Sequence, residues 1–325
     1  MEISNQRIIP ITILTGFLGA GKTTLLNRIL SGEHGLKIAV LVNDFGAVNI
    51  DAELVVGVEK NMISLANGCV CCQLRDDLVE SVMDLINSEN PVEYIILEAS
   101  GVAEPGGIVM TFLDKSLADK IRIDSIICVI DADQVFQYEN LMELKLRQIA
   151  FSDMLILNKV DLVDSKQIEK IKAWIDDRIN RVRVIETSFC KVPYEILLGV
   201  DRYDPNTATT KNYMQQHQHN HGHNTDHGKV FSTWNYETEK AFSLELLKEM
   251  IKKIPSSVYR CKGIVQVAEE PQKRFVLQVV GRRVNFEEIG NWDEVKPFSK
   301  IIAIGQPEKM NPEELKERFE SCLIK

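Results

Sequence analysis

A glycine-rich segment of the chain has the residue types and spacing of a phosphate-binding loop. The segment Gly16–Thr23 reads GFLGAGKT, which fits G-x-x-x-x-G-K-[ST], and it lies between an apolar run and a helical stretch. Glycines let backbone N–H groups approach phosphate oxygens, and the N-terminus of the following helix adds a positive dipole end. Lys22 is expected to contact the outer phosphates, and the Thr23 hydroxyl is expected to bind Mg²⁺. The predicted phosphate-binding residues are Gly16, Gly19, Ala20, Gly21, Lys22, Thr23 and Thr24.

A second motif predicts which base the nucleotide carries. The segment Asn158–Asp161 reads NKVD and follows the apolar run Met154–Leu157, so it should lie at the C-terminal end of a strand, where open α/β sheets bind ligands. An Asn/Asp pair can donate and accept along the edge of guanine, and an aspartate can accept from both the ring N–H and the exocyclic amine. Adenine has no matching pair of donors, so ATP would leave the Asp161 carboxylate unused. Together with the phosphate loop, this motif resembles the P-loop GTPases and predicts GTP, bound by Asn158, Lys159 and Asp161.

Two further strand ends carry carboxylates that can serve phosphoryl transfer. The segment Glu98–Gly101 reads EASG, and a carboxylate here can hold the Mg²⁺ shell or position the attacking water. The backbone N–H of Gly101 can contact the γ-phosphate. Asp44 follows the second predicted strand and can reach Mg²⁺ or its waters. The predicted catalytic residues are therefore Lys22, Glu98 and Asp44.

Three cysteines crowd into four residues between these motifs. Cys69, Cys71 and Cys72 precede a helix predicted to start near Leu74. Helix N-termini lower the pKa of thiols, and thiolates bind metal well, so the cluster predicts a transition-metal site. Zn²⁺ or Cu⁺ suits thiolates, and Co²⁺ or Ni²⁺ can also bind. Two alternatives are plain packing of buried thiols and a redox dithiol, although neighbouring cysteines make a strained pair.

Five of the six histidines occupy eleven residues of a polar segment with few apolar residues and no usable periodicity. The segment, residues 201–229, is predicted to be a flexible linker. Such an imidazole cluster can bind Zn²⁺, Co²⁺ or Ni²⁺ loosely, and the alternative is an inert spacer. The histidines are His217, His219, His221, His223 and His227.

Short apolar runs alternate with helical patterns between residues 8 and 198, which predicts an α/β domain with a doubly wound, mostly parallel sheet. We expect this GTPase domain to span residues 1–200. After the linker, a smaller α+β domain is expected at residues 230–325. The predicted strands are Ile8–Thr15, Lys37–Val42, Tyr94–Leu97, Ser125–Ile130, Met154–Leu157 and Arg183–Glu186, then Tyr259–Ala268, Phe275–Val284 and Ile301–Ile304. Two helices are expected in the smaller domain, one capped by Ser243 and one opened by Asn311 and Pro312.

Composition excludes several classes of protein. The chain has 325 residues, of which 38 are basic and 47 acidic, so neither nucleic acid nor an anionic membrane is expected as a partner. Seven cysteines are too few for a disulfide scaffold. The uncharged stretch Ile8–Gly21 is too short to span a bilayer and contains Pro10, so it predicts a strand and loop rather than an export signal. The expected location is the cytoplasm.

These motifs in this order resemble the CobW-like GTPases, and the resemblance extends through Arg260–Gly263 and Gly305 into the C-terminal domain. It implies GTP-dependent delivery of a transition metal, usually Zn²⁺ or Co²⁺, to a client metalloprotein or metal-cofactor enzyme. It also implies that Cys69, Cys71 and Cys72 handle the metal. Members often carry NEFG after the second strand, with further acidic residues nearby. Here the segment reads NDFG, between Val42 and Ala47, so the identity of the metal stays open.

The sequence thus predicts a metal carrier gated by GTP and Mg²⁺. GTP would order the loop at Asp44 and shape the thiolate site, and hydrolysis would release the metal to the client. Intrinsic hydrolysis should be slow, because the sequence offers no obvious arginine finger or water-positioning glutamine. A nucleotide-dependent homodimer is compatible with this cycle. The alternatives are a metal buffer or sensor that holds GTP as a static ligand, and a dithiol redox protein.

Overall fold

The computed structural model describes residues 8–32, 34–43, 62–64, 71–88, 92–113, 116–117, 119–179, 182–198, 232–281, 283–292 and 296–324. The chain divides into two compact units, Met1–Leu198 and Gly199–Lys325. The segment predicted as a linker lies outside the described residues, so its extent and mobility stay predictions. Within the described ranges, no helix combines the length and the apolar character needed to cross a membrane.

In the first unit, seven described strands form one sheet in the order β3-β2-β4-β1-β5-β6-β7, and every pairing in it is parallel. Its central strands are buried along their whole length, which explains their continuous apolar sequences. The predicted α/β class is confirmed. The strands are β1 Ile9–Thr15, β2 Ile38–Asn43, β3 Met62–Ser64, β4 Tyr94–Ala99, β5 Ile121–Asp131, β6 Met154–Asn158 and β7 Arg183–Glu186.

Helices connect these strands on both faces of the sheet, because right-handed crossovers that leave β1 in opposite directions lie on opposite sides. The second helix buries Leu78, Val82 and Leu85 in one core cluster with Ile95 and Leu97 of β4, as its apolar stripe predicts. It begins three residues before the predicted start. The helices are α1 Lys22–Leu30, α2 Cys71–Asn87, α3 Pro105–Phe112, α4 Met142–Phe151, α5 Ser165–Arg178 and α6 Tyr194–Leu197.

Two differences from the predicted strands have a local cause. Strand β3 has three residues, too few to show a periodic pattern. Strand β5 starts four residues earlier than predicted, because the charged residue Asp124 interrupts the apolar run. Its carboxylate is nevertheless buried and accepts a hydrogen bond of 2.7 Å from the Tyr94 hydroxyl. Hydrogen bonding offsets the cost of burying such a group.

The second unit is an antiparallel sheet of five described strands with two helices, as the predicted α+β class requires. The predicted single strand Phe275–Val284 is wrong, since the chain turns back at Gly281, where φ is +56°, and pairs Val280 with Arg283. The elements are β8 Ser232–Thr238, α7 Leu244–Ile251, β9 Val258–Val265, β10 Lys273–Val280, β11 Arg283–Asn291, β12 Ser299–Gly305 and α8 Pro312–Glu320.

The two predicted helix starts differ in how they are capped. Asn311 accepts hydrogen bonds from the backbone N–H groups of Glu313 and Glu314 at 3.0 and 3.3 Å, which confirms the predicted cap of α8. Ser243 precedes α7 but makes no capping bond with its own side chain. The Glu269 carboxylate takes that place and accepts from the Leu244 N–H at 3.0 Å.

Candidate functional site

The glycine-rich loop joins β1 to α1 at the C-terminal edge of the sheet, and two of its glycines are required sterically. Gly16 has φ of +131°, and a Cβ added there would lie 2.2 Å from the carbonyl oxygen of Val129 on β5. Gly21 has φ of +111°, and its Cβ would lie 2.5 Å from the Nδ2 atom of Asn158. Both positions need the left-handed backbone and the missing side chain that only glycine provides. The loop therefore packs closely against Val129 of β5 and against Asn158 at the end of β6.

Lys22 is the first residue of α1, and its side chain is buried at the centre of the loop. Its Nζ atom donates to the carbonyl oxygen of Phe17 at 3.4 Å. Gly19 and Thr24 lie on the exposed side of the loop and helix, and Ala20 is buried. A buried ammonium enclosed by backbone is suited to bind an anionic group that enters the loop.

Thr23 near the start of α1 contacts Glu98 near the end of β4. The Thr23 hydroxyl donates to the Oε1 atom of Glu98 at 2.8 Å, and the Glu98 side chain is 2% exposed. The two residues come from motifs 75 positions apart, and both are predicted to serve Mg²⁺. A hydroxyl beside a carboxylate offers the hard oxygen ligands that Mg²⁺ prefers, so the pair fits that ion.

Gly101 lies in a turn against the phosphate loop. A Cβ added to Gly101 would come within 2.7 Å of the backbone nitrogen of Leu18. The turn is closed by a hydrogen bond of 2.9 Å from the N–H of Ala103 to the carbonyl of Ser100. The predicted γ-phosphate contact is thus adjacent to the predicted phosphate loop.

Asn158 is the last residue of β6, and its side chain makes two hydrogen bonds with other parts of the site. Its amide nitrogen donates to the carbonyl of Ala20 at 2.9 Å, and its amide oxygen accepts from the N–H of Cys190 at 2.9 Å. Its side chain is 2% exposed. It therefore ties the phosphate loop to the segment after β7. Asn158, Lys159 and Asp161 all remain predicted contacts for the base, and Asp161 is exposed.

Lys159 is held by a carboxylate that the sequence motifs did not single out. Its Nζ atom lies 2.7 Å from the Oδ2 atom of Asp131, a buried residue at the end of β5. The other oxygen of Asp131 accepts from the backbone N–H groups of Asp133 and Gln134. With its ammonium fixed, the aliphatic part of the Lys159 side chain has a defined position within the predicted base site. Asp131 could have been identified from the sequence, because it lies at the C-terminal end of a strand, where such sheets bind ligands.

The segment that follows β7 is a second part of the site that the sequence motifs did not predict. Phe189 and Cys190 both have left-handed backbones, with φ of +56° and +53°. The Arg28 guanidinium donates to the carbonyl of Phe189 at 2.5 Å, and the Cys190 thiol donates to the carbonyl of Gly21 at 3.3 Å. Strained backbone persists only where the surroundings impose it. These contacts hold the segment against the phosphate loop.

We predict that Asn158→Ala weakens guanine nucleotide binding about tenfold or more and lowers the free energy of unfolding by about 1–3 kcal/mol. The change leaves the Ala20 carbonyl and the Cys190 N–H without their shared partner, so loop and segment separate. Nucleotide titration and denaturant unfolding measure the two effects. Asn235→Ala, at an exposed position of β8, is the control. Unchanged nucleotide affinity in the Asn158 variant would contradict the tie.

Several predicted site residues cannot be placed. Asp44, Cys69 and the five histidines at 217–227 lie outside the described residues. Cys71 and Cys72 are the first two residues of α2. In the ranges that the structure describes, no group of three or more His, Cys, Asp or Glu residues is arranged to hold a metal ion. The thiolate site therefore stays a prediction.

The other four cysteines, Cys128, Cys190, Cys261 and Cys322, are buried free thiols. Burial raises the pKa of Cys128 to about 12, and the nearby Lys22 ammonium opposes the shift. Burial likewise raises the pKa of Cys190 to about 12. Such thiols stay protonated at neutral pH, so they are poor metal ligands and poor nucleophiles.

We predict that Cys128 and Cys190 resist alkylation in the folded protein. At pH 8 a thiol of pKa about 12 has roughly one thiolate per ten thousand molecules, which is about a thousandth of the amount for an ordinary thiol. Iodoacetamide labelling at pH 8, mapped by peptide mass spectrometry, should find both unmodified in the native chain. The control is the denatured chain, in which all seven cysteines should react. Rapid native labelling of Cys190 would contradict its burial.

Comparison with known proteins agrees with this architecture. The family model "CobW/HypB/UreG, nucleotide-binding domain" matches residues 10–186, and the model "Cobalamin synthesis protein cobW C-terminal domain" matches residues 231–323. The chain is 31% identical to the zinc-regulated GTPase metalloprotein activator 1 of Dictyostelium discoideum, over 89% of this chain and 70% of that protein. It is 30% identical to the zinc chaperone CobW of Pseudomonas aeruginosa, over 92% and 88% of the two chains.

Among solved structures, the Zn(II)-bound YjiA GTPase from E. coli matches with a TM-score of 0.47 and 23% identity, over 97% of this chain and 99% of that one. The first family model alone spans more than half of the chain, and the second covers the smaller unit. The chain therefore belongs to the CobW/HypB/UreG family.

Proposed function

We propose that this protein is a GTP-hydrolysing metallochaperone, which binds Zn²⁺ or Co²⁺ at Cys69, Cys71 and Cys72 and delivers it to a client metalloprotein or metal-cofactor enzyme. The observation that carries the enzymatic half is the 2.8 Å hydrogen bond between Thr23 and Glu98. It joins the phosphate loop to a buried carboxylate at the strand end where phosphoryl transfer needs one. The names of the relatives, a zinc chaperone and a zinc-regulated GTPase, favour Zn²⁺ as the cargo.

The hydrolytic step breaks the bond between the γ-phosphorus and its bridging oxygen, with water as the nucleophile and GDP and phosphate as products. Lys22 neutralises charge on the outer phosphates, and Gly101 donates its N–H to the γ-phosphate. Thr23 and Glu98 would hold Mg²⁺, which when bound would neutralise further charge on the phosphates. Glu98 or Asp44 orients the attacking water. Asp161 selects guanine, with Lys159 positioned beside it by Asp131.

The cargo half of the proposal is supported by residue type and by the start of α2. Cys71 and Cys72 open a helix of 17 residues. A helix N-terminus favours thiolate over thiol, and thiolates favour Zn²⁺. The buried thiols of Cys128 and Cys190 lack that advantage. The five histidines of the 201–229 segment load or buffer the ion.

Nucleotide and cargo are coupled in this proposal through the chain segments that carry Asp44 and the three clustered cysteines. GTP orders the loop at Asp44 and shapes the thiolate site, and hydrolysis relaxes it. Coupling between two ligands is reciprocal, so GTP must raise metal affinity by the factor by which metal raises GTP affinity. A homodimer that forms only with GTP is a further part of the proposed cycle.

The deciding experiment measures Zn²⁺ and Co²⁺ affinity by competition with a chromophoric chelator, with Mg²⁺ and either a non-hydrolysable GTP analogue or GDP. We expect at least about a fivefold difference between the two nucleotide states. Equal affinities would overturn the gating. A metal buffer with static GTP would show metal binding without any GTP turnover. A redox protein would show reversible thiol oxidation without metal affinity.

A further inference from the structure

Helix α4 contacts the phosphate loop and successive positions of the segment that follows Glu98. The Lys145 ammonium lies 4.7 Å from the centre of the Phe17 ring of the phosphate loop. Two residues further along α4, Arg147 pairs with Glu104 at 3.1 Å. At the end of the helix, the Phe151 ring lies 2.9 Å from where a Cβ on Gly106 would be. The helix is thus positioned to fix this segment relative to the loop.

Gln148 makes the central contact of this helix. Its amide nitrogen donates to the carbonyl oxygens of Gly101 and Ala103, both at 3.1 Å, and its side chain is 1% exposed. An amide NH₂ group has two donors, and here each has an acceptor on the same turn. Burying a polar group costs free energy unless it is hydrogen-bonded, so these bonds constrain where the turn can lie.

The turn held by Gln148 is the one that meets the phosphate loop. The Ala103 N–H bonds to the Ser100 carbonyl, which fixes the peptide plane that carries the Gly101 N–H. Gln148 fixes the next peptide plane through the Gly101 carbonyl. The peptide planes before and after Gly101 are therefore both held by hydrogen bonds. Gly101 itself lies against Leu18.

We propose that Gln148 is a positioning residue for recognition of the γ-phosphate, which holds the Gly101 N–H at the edge of the phosphate loop before nucleotide arrives. The inference rests on the proposed role of Gly101. GDP has no γ-phosphate, so its binding does not depend on this turn. GTP binds best to the fraction of molecules whose turn is in place, and its apparent affinity falls by that fraction. Gln148 thus sets the preference for GTP over GDP.

The test replaces Gln148 by Met, which keeps the length of the side chain and removes both donors. The matched control is Glu143→Met on the same helix, which removes an ion pair with Arg147 whose partners are 79% and 49% exposed and keeps the contact between Arg147 and Glu104. Exposed pairs of this kind contribute little. Equilibrium titrations measure binding of a non-hydrolysable GTP analogue and of GDP to the full chain. We expect about tenfold or greater loss for the GTP analogue in Gln148→Met, with GDP within twofold, and both within twofold in the control.

The outcomes separate positioning from a purely structural role. Equal loss for both nucleotides in Gln148→Met, with a lower unfolding midpoint, would mean that Gln148 only stabilises the fold. Unchanged affinities would overturn the inference directly. If the unaltered protein itself binds neither nucleotide, the proposed function fails rather than this inference.

Hydrogen exchange on the unaltered chain and on Gln148→Met tests the same inference in a second way. The amides of residues 101–104 should exchange more slowly with the GTP analogue than with GDP, because the γ-phosphate holds the turn that Gln148 positions. The amides of β12, in the second compact unit, give the reference. Identical exchange of the turn in the two nucleotide states of the unaltered chain would contradict the proposed role of Gly101, and an undiminished difference in Gln148→Met would contradict the role of Gln148.

Discussion

Replacing Asp161 by Asn is expected to lower GTP affinity by about two to four orders of magnitude while raising affinity for xanthosine triphosphate. Asp161 lies in the turn Val160–Leu162 after β6, where its carboxylate is exposed. A carboxylate accepts from both the ring N–H and the amine of guanine. Asparagine places a donor against that amine, and sites with mismatched polar groups reject their ligands strongly. Xanthine carries a carbonyl in place of the amine, so the new donor finds an acceptor.

Asp164→Asn is the matched control for this experiment. It makes the same change three residues away, at the cap of α5, where the side chain accepts from the Gln167 N–H at 2.8 Å. Asparagine caps helices as well as aspartate, so neither fold nor affinity should change. Competition titrations with GTP, xanthosine triphosphate and ATP provide the measurement. Equal losses for GTP and xanthosine triphosphate would show that Asp161 does not contact the base.

The sequence was sufficient for the parts of the fold that depend on local pattern. Continuous apolar runs predicted the central strands within a few residues, since a sheet buried on both faces leaves no polar alternation. The hairpin at Gly281 was missed because only Gly281, Arg282 and Arg283 separate the apolar residues of β10 from Val284, and one glycine inside such a run can also mark a bulge. The pairing of Val280 with Arg283 shows that the chain turns back. Strand β8 was missed because its buried Trp234 is surrounded by polar residues.

In the candidate site, residues within one motif were predictable from the sequence, and contacts between distant motifs were not. Motif residues contiguous in sequence, such as Lys22 and Thr23, were predictable from spacing. Contacts between distant segments were not, because spacing within a motif carries no information about its neighbours in space. Gln148 bonds a residue 47 positions away, and Asn158 bonds one 138 positions away. The hydrogen bonds of Asn158 add a structural role to its predicted contact with the base, since the buried amide joins two loops of the protein.

The second large effect concerns the thiols. Replacing Cys69, Cys71 and Cys72 together by Ala should weaken Zn²⁺ binding by about a thousandfold or more, because thiolate ligands supply most of the binding free energy of such sites. Nucleotide affinity without metal should stay within twofold, since the predicted phosphate and base contacts, such as Lys22 and Asp161, do not include the cysteines. The difference in metal affinity between GTP and GDP states should disappear. Chelator competition and nucleotide titration on the same samples measure all three quantities.

The control for the triple variant removes two other thiols, Cys261→Ala and Cys322→Ala. Both side chains are buried in the core of the second unit, and burial raises the pKa of Cys322. Neutral buried thiols do not bind Zn²⁺ well, so this variant should keep its metal affinity even if it loses some stability. Residual weak binding in the triple variant should vanish when the five histidines at 217–227 are also replaced. If the triple variant binds Zn²⁺ as tightly as the unaltered chain, the cargo site lies elsewhere, and coupling of nucleotide to the segment before α2 is excluded with it.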